Sequence, residues 1–123
     1  MSEHETQQSV GAWADAVFGR GDPNSPRQCL RLLEEVVELC LAAGADPGDV
    51  IDLVHREVGE EVTPNPQPLD KVKGELADCQ VVLHVIAHRL GVDLQAEEDS
   101  KMKINRSRRW KPRGDGTGQH IKD

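Results

Sequence analysis

RLLEEVVEL, residues 31–39, carries the pattern on which the fold prediction rests. Read as an α-helix, it places Arg31, Glu34, Glu35 and Glu38 at i, i+3, i+4 and i+7, in one continuous stripe. The remaining positions are almost all apolar, which is typical of a buried helix rather than a surface helix. Buried carboxylates are costly unless they are paired or coordinated. The stripe therefore predicts that a cation binds beside this helix.

A second pair of acids lies in KVKGELADCQVVLHVIAHRL, residues 71–90. Glu75 and Asp78 are three residues apart, so they share one helix face, and Asp78 interrupts a run that is otherwise typical of a core. Two helices that each carry such a pair can face each other across a bundle. An all-oxygen site of this kind suits Mg²⁺ or Mn²⁺ better than zinc. The sequence therefore predicts a divalent-metal site between the two helices.

The bulk composition favours a small α-helical domain. The chain has 123 residues, of which 37% are hydrophobic, and its aromatic residues are Trp13, Phe18 and Trp110. A core built from Leu, Val, Ile and Ala favours helices over a β-sandwich. A hydrophobic core this small is often completed by oligomerisation. We predict a single domain over residues 1–123, with loose ends at 1–8 and 114–123.

Prolines, glycines and capping residues divide the chain into five predicted helices. These are expected over residues 9–18, 26–43, 47–58, 69–90 and 94–109, with an extended proline-containing loop at 59–68. Ser25 is the predicted N-cap of the second helix, and Gln28 is predicted to complete its capping box. No stretch alternates cleanly between apolar and polar residues, so no strand is predicted. The predicted fold is an all-α bundle of four to five helices.

Charge is distributed unevenly along the chain. The net charge is −7, yet residues 101–113 contain only basic charges, which indicates an anionic ligand. Binding of nucleic acid or an acidic partner by this segment is the alternative, but the acidic body of the chain opposes it. The N-terminus is polar, no apolar run reaches membrane-spanning length, and the cysteines are scattered. We therefore predict a cytoplasmic protein without a nucleic-acid or membrane partner.

The order of the acids resembles a known enzyme family. The pattern Glu34-Glu35-x-x-Glu38, followed by Glu75-x-x-Asp78, resembles the all-α nucleoside triphosphate pyrophosphohydrolases of the MazG type. The chain is most similar to the small phage-type (MazZ-like) members. Two further segments carry the likeness, namely Trp13 with Phe18-Gly19 and the C-terminal pattern Lys101-x-x-x-Asn105-x-x-Arg108-x-Trp110. The separation between Glu38 and Glu75 is longer than in compact members of the family.

This resemblance implies a metal-dependent reaction, (d)NTP + H₂O → (d)NMP + PPi. It implies two or three Mg²⁺ ions, replaceable by Mn²⁺, with Glu35, Glu38, Glu75 and Asp78 as ligands. Glu34 would be a further catalytic acid, acting as a ligand, a water-activating base or the partner of Arg31. Substrate binding would fall to Lys101, Asn105, Arg108 and Trp110, although packing is an equal alternative for Trp110.

The resemblance also bears on substrate and assembly. It favours a purine deoxynucleotide such as dGTP, with a pyrimidine (dUTP or dCTP) as the alternative. It further implies a homodimer or homotetramer.

Overall fold

The computed structural model describes residues 3–122, which fold mainly into helices. The prediction of a predominantly α-helical chain is confirmed. Within the described residues there are five helices and one two-stranded sheet. In chain order these are α1 (Gln7–Phe18), α2 (Arg27–Ala42), α3 (Pro47–Val58), α4 (Leu69–Leu90), α5 (Leu94–Ser107), β1 (Trp110–Pro112) and β2 (Gly118–His120).

Local capping interactions define most of the helix ends. Asp46 accepts hydrogen bonds from the backbone N–H groups of residues 48 and 49 at the start of α3, and Pro47 occupies the first turn. Asp93 caps α5 in the same way through the N–H of Ala96. Gly91 adopts a left-handed conformation, with φ of 69°, and ends α4. The predicted boundaries at these three positions are confirmed. The start of α1 was predicted at residue 9 after a loose end, but the helix begins at Gln7, because Thr6 caps it by accepting from the N–H of Ser9 at 3.0 Å.

The start of α2 differs from the prediction. The helix begins at Arg27, one residue after the predicted start, and Pro26 occupies the N-cap position. The Ser25 hydroxyl oxygen accepts from the backbone N–H of Arg27 at 3.3 Å, so Ser25 contributes to this helix end as predicted. Gln28 does not complete a capping box, because its side-chain amide donates instead to the carbonyl oxygen of Gly116 at 2.7 Å. A contact with a residue distant in sequence has replaced the expected local one.

The C-terminal segment forms a hairpin, where the sequence had predicted helix to residue 109 and a loose end from 114. α5 ends at Ser107, and β1 pairs antiparallel with β2 so that Trp110 lies opposite His120. Each strand has only three residues, which is too short for an alternating pattern to be detected in the sequence. The prediction of a chain without strands was therefore wrong.

An aromatic cluster holds this hairpin against α1. The ring centroids of Trp13 and Phe18 lie 5.1 Å apart, and both rings contact Trp110 at 5.7 and 5.4 Å. All three pairs are edge-to-face, a favourable arrangement of ring quadrupoles. Trp13 and Phe18 therefore pack against the C-terminal segment, and both are half-buried.

Helices α2, α3 and α4 leave most of their apolar side chains exposed. Ala87 and Met102 are the buried hydrophobic side chains among the described residues. Large hydrophobic residues are exposed at six positions of α2, four of α3 and eight of α4. α2 packs against α3, but α4 makes only sparse contacts with the other elements. Within residues 3–122, no helix combines the length and apolar character needed to cross a bilayer.

Candidate metal and nucleotide site

The acidic stripe of α2 is organised around Arg31. Its guanidinium donates to Glu34 Oε2 at 3.1 Å and to Glu35 Oε1 at 2.5 Å, as the i+3 and i+4 spacings allow. Glu38, one turn further on, makes no hydrogen bond or ion pair with residues 3–122. All three carboxylates are exposed. One of the three roles predicted for Glu34, that of Arg31 partner, is thus present in the structure, and the other two stay predictions.

The second pair of acids lies on α4 and is also exposed. Glu75 Oε1 lies 3.4 Å from Lys71 Nζ, an i, i+4 ion pair on the helix surface. Asp78 has no such partner within the described chain. The ion pair is the ordinary arrangement for exposed charges on a helix and is worth little to stability.

The two pairs of acids do not meet within one chain. Between residues 3 and 122, no three or more His, Cys, Asp or Glu side chains are grouped so that they could hold a metal ion. The reason is that α4 follows the loop at residues 59–68 and does not pack closely against α2. The four predicted ligands therefore do not form a metal site in a single chain, and their role as ligands stays a prediction.

A small pocket lies where α1, α2, α5 and the hairpin converge. Its volume is about 150 Å³. It brings the predicted substrate residues Asn105 and Trp110 beside Arg31, the first residue of the α2 stripe. Pockets for drug-sized ligands measure roughly 300–1,000 Å³, so this pocket has room for only part of a nucleotide. The lining residues are Trp13, Phe18, Gln28, Arg31, Asn105, Trp110, Thr117 and Gly118.

Trp110 has a clear packing function in this pocket. Its indole N–H donates to the backbone oxygen of Asn105 at 2.9 Å, and its ring belongs to the aromatic cluster. Lys101 is exposed on α5, and Arg108 is half-buried at the end of that helix. Neither of these two residues lines the pocket. The structure thus brings together two of the four predicted substrate residues.

Sequence reasoning missed the contribution of Gln28 and of the hairpin loop to this pocket. Gln28 precedes Arg31 by one helical turn, a spacing that could have indicated a shared face. Thr117 is buried, and its hydroxyl and N–H both donate to Asp115 Oδ1, at 2.5 and 2.9 Å. These hydrogen bonds lower the pKa of the Asp115 carboxyl below its ordinary value. No sequence signal pointed to this loop.

Comparison with known proteins gives one informative match. A dATP/dGTP diphosphohydrolase of Salmonella phage PMBT28 is similar to this chain. The two are 29% identical over 119 residues, which cover 97% of this chain and 31% of the phage protein. This chain therefore spans just under a third of that relative's length. No protein-family model matches the chain, and no solved structure matches it.

Proposed function

We propose that this protein is a metal-dependent nucleoside triphosphate pyrophosphohydrolase that converts a (d)NTP to (d)NMP and PPi. The observation that carries the proposal is the similarity of nearly the whole chain to a dATP/dGTP diphosphohydrolase. The resemblance of the acid pattern to the MazG-type enzymes supports the same reaction. A purine deoxynucleotide such as dGTP is the proposed substrate, in keeping with the name of the relative.

The proposed metal ligands are Glu35, Glu38, Glu75 and Asp78. A triphosphate carries several negative charges, and the net charge of −7 on the protein would repel it. Carboxylate oxygens are the ligands that Mg²⁺ selects in proteins, and the bound cations would offset this repulsion. We therefore propose two or three Mg²⁺ ions for each site, with Mn²⁺ as a substitute.

The pocket beside Arg31 is the proposed contact for the base and sugar. Asn105 and Gln28 place amide groups there, and amides can both donate to and accept from a nucleobase edge. Lys101 and Arg108 lie on the same basic segment and are proposed to contact the phosphates, Arg108 through its forked guanidinium.

An assay of pyrophosphate release tests the proposal. The wild-type protein with Mg²⁺ should release PPi from at least one member of a panel of purine and pyrimidine dNTPs, and EDTA should abolish the release. Glu38→Gln should lower kcat by about 100- to 1,000-fold, the size of effect seen when one group that stabilises a transition state is removed. Glu61→Gln, in the exposed loop, is the matched control and should leave the rate unchanged.

Pyrophosphate release across the dNTP panel decides between a pyrophosphohydrolase and a nucleic-acid-binding protein. If no dNTP releases PPi above the level of Glu38→Gln, the proposed reaction is wrong. The alternative is a nucleic-acid-binding protein, and it predicts salt-sensitive binding to DNA that survives Glu38→Gln. Two of the basic side chains that would contact nucleic acid already interact within the chain. Arg106 forms an ion pair with Glu5, and Arg113 donates a hydrogen bond to Thr117. This engagement weakens the alternative.

A further inference from the structure

Glu5, in the segment that precedes α1, joins α1 to α5 through both its main chain and its side chain. Its N–H donates to Asp99 Oδ1 at 2.7 Å, and its carbonyl oxygen accepts from Gln95 Nε2 at 3.0 Å. Its carboxylate accepts from Arg106 Nη2 at 2.5 Å and from Ser9 Oγ, on α1, at 3.2 Å. Residues 95 and 106 lie roughly 16 Å apart along a helix axis. Glu5 therefore contacts α5 near both of its ends.

The candidate nucleotide pocket lies between the two helices that Glu5 joins. Trp13 and Phe18 line it from α1, and Asn105 lines it from α5. Met102 is the buried side chain of α5, and the helix makes only sparse contacts with the other elements. A helix with so little apolar packing is held weakly unless polar contacts restrain it. The hydrogen bonds of Glu5 therefore hold one wall of the pocket against the other.

Asn105 lies in the last turn of α5, where a helix is least stable. α5 ends at Ser107, and Arg108 follows in an extended conformation. Terminal turns open at little cost in free energy, because their last carbonyl groups have no partner within the helix. Arg106 connects this turn to Glu5, whose side chain is only 20% exposed, so water screens the ion pair less than it screens a pair on the open surface. The ion pair thus keeps the neighbouring Asn105 within the helix.

We infer that Glu5 is a positioning residue for the nucleotide pocket. It acts through Arg106 to keep the last turn of α5, and with it Asn105, against α1. Glu5 does not line the pocket itself, so its effect on a bound nucleotide is indirect. The part that concerns nucleotide binding rests on the proposed function, whereas the restraint on α5 rests on the hydrogen bonds alone.

Steady-state kinetics separate positioning from a purely stabilising contact. Glu5→Ala and Arg106→Ala should each raise KM by about tenfold for the dNTP that wild type cleaves fastest, and kcat should stay within about twofold. The double variant should raise KM no further than either single variant, because all three lack the same ion pair. Glu3→Ala, an exposed acid of the same segment, is the matched control and should leave KM unchanged. An unchanged KM for Glu5→Ala, with wild type active, would overturn the inference.

An exchange of the two charges tests whether Arg106 acts through Glu5 or contacts the phosphates directly. Glu5→Arg combined with Arg106→Glu restores an ion pair of opposite direction and should recover most of the lost affinity. Glu5→Arg alone should raise KM more than Glu5→Ala does, because it places two like charges together. If Arg106 contacted the phosphates, the exchange would place a negative charge beside them and recover nothing. That result would overturn the inference.

Hydrogen–deuterium exchange measures the restraint on α5 without reference to activity. In Glu5→Ala, the backbone amides of residues 103–108 should exchange about tenfold faster than in wild type. Those of residues 95–100 should change little, because alanine keeps the main-chain contacts with Gln95 and Asp99. Unchanged exchange at residues 103–108, or an equal increase over the whole of α5, would overturn the restraint.

A binding measurement distinguishes failure of this inference from failure of the proposed function. If wild type releases no PPi from any dNTP, the proposed reaction is wrong. Titration with dGMP, followed by the fluorescence of Trp13 and Trp110 in the pocket, then replaces KM. Glu5→Ala should weaken dGMP binding by the same factor of about ten. Equal affinities, or no binding of dGMP to wild type, would overturn the positioning role.

Discussion

Gly118 shows how closely the hairpin approaches α1. A Cβ added at this buried position would overlap the ring of Phe18, at Cδ1 and Cε1. Two backbone segments also approach each other closely nearby. A Cβ at Gly116, where φ is 87°, would come within 2.8 Å of the backbone oxygen of Arg20. Only the absence of a side chain permits these approaches. The aromatic cluster therefore depends on glycine at position 118.

Gly118→Ala is expected to lower the free energy of unfolding by about 1–3 kcal/mol, because overpacking forces neighbouring groups to move. Urea unfolding at a fixed protein concentration would measure this change. Gly11→Ala is the control, since a Cβ there meets nothing within 4 Å. Gly11 is inside α1, so its replacement should instead raise stability by about 0.5–1 kcal/mol. Equal stabilities for the Gly118 variant and wild type would contradict the described packing.

His4 and Asp99 form a pH-sensitive contact between the N-terminal segment and α5. His4 Nδ1 lies 2.7 Å from Asp99 Oδ2, and the N–H of Glu5 donates to Asp99 Oδ1 at 2.7 Å. The hydrogen bond to Asp99 raises the pKa of His4 above 6.5, and the hydrogen bond to His4 lowers the pKa of Asp99 below 3.8. The contact between His4 and Asp99 is therefore strongest at pH values between 3.8 and 6.5, the ordinary pKa values of the two groups.

The pH dependence of stability follows from these directions. The contribution of His4 to the free energy of unfolding is complete below the pKa of His4 in the unfolded chain. It is lost as pH rises through the higher pKa of His4 in the folded protein. The contribution of Asp99 is complete above its unfolded pKa and is lost as pH falls through the lower folded pKa. We expect His4→Asn to lower the thermal midpoint more at pH 5 than at pH 8, and calorimetry at both values would measure it. An NMR titration of His4 that is unchanged by Asp99→Asn would contradict the contact.

Among the elements, α3 shows how short-range interactions set a boundary. Asp46 accepts from the N–H groups of Gly48 and Asp49, at 2.7 and 3.3 Å, and Pro47 follows it directly. These contacts involve neighbours in the sequence, so they could be predicted without knowledge of the fold. At the start of α2 the same reasoning was right about Ser25, whose hydroxyl accepts from the N–H of Arg27, and wrong about Gln28, which bonds to a residue 88 positions away.

Asp46→Ala is expected to lower the free energy of unfolding by about 1 kcal/mol, since it removes the acceptor for two helix N–H groups. Asp46→Asn keeps a side-chain oxygen and should stay close to wild type. Urea denaturation of both variants provides the measurement. A cost for the asparagine variant as large as that for alanine would mean that charge, rather than the hydrogen bonds, stabilises the start of α3.

For the whole molecule, the exposed apolar helices predict that stability depends on protein concentration. If folding and association are coupled, a 100-fold increase in protein concentration should add about 2.7 kcal/mol of apparent stability. The midpoint of thermal unfolding, followed by circular dichroism, should rise accordingly across that range. Unchanged midpoints would show that the single chain is stable by itself, contrary to its exposed surface.

The five helices, most of their caps and the spacing of the acids were accessible from the sequence, because each depends on residues within about one or two turns of one another. The hairpin, the pocket beside Arg31 and the separation of α4 from α2 depend on contacts between residues far apart in the chain. Such contacts are selected by packing and by the reach of loops, which no local pattern encodes. The sequence thus determined which acids face together on each helix, and the tertiary structure decided that the two sets remain apart within one chain.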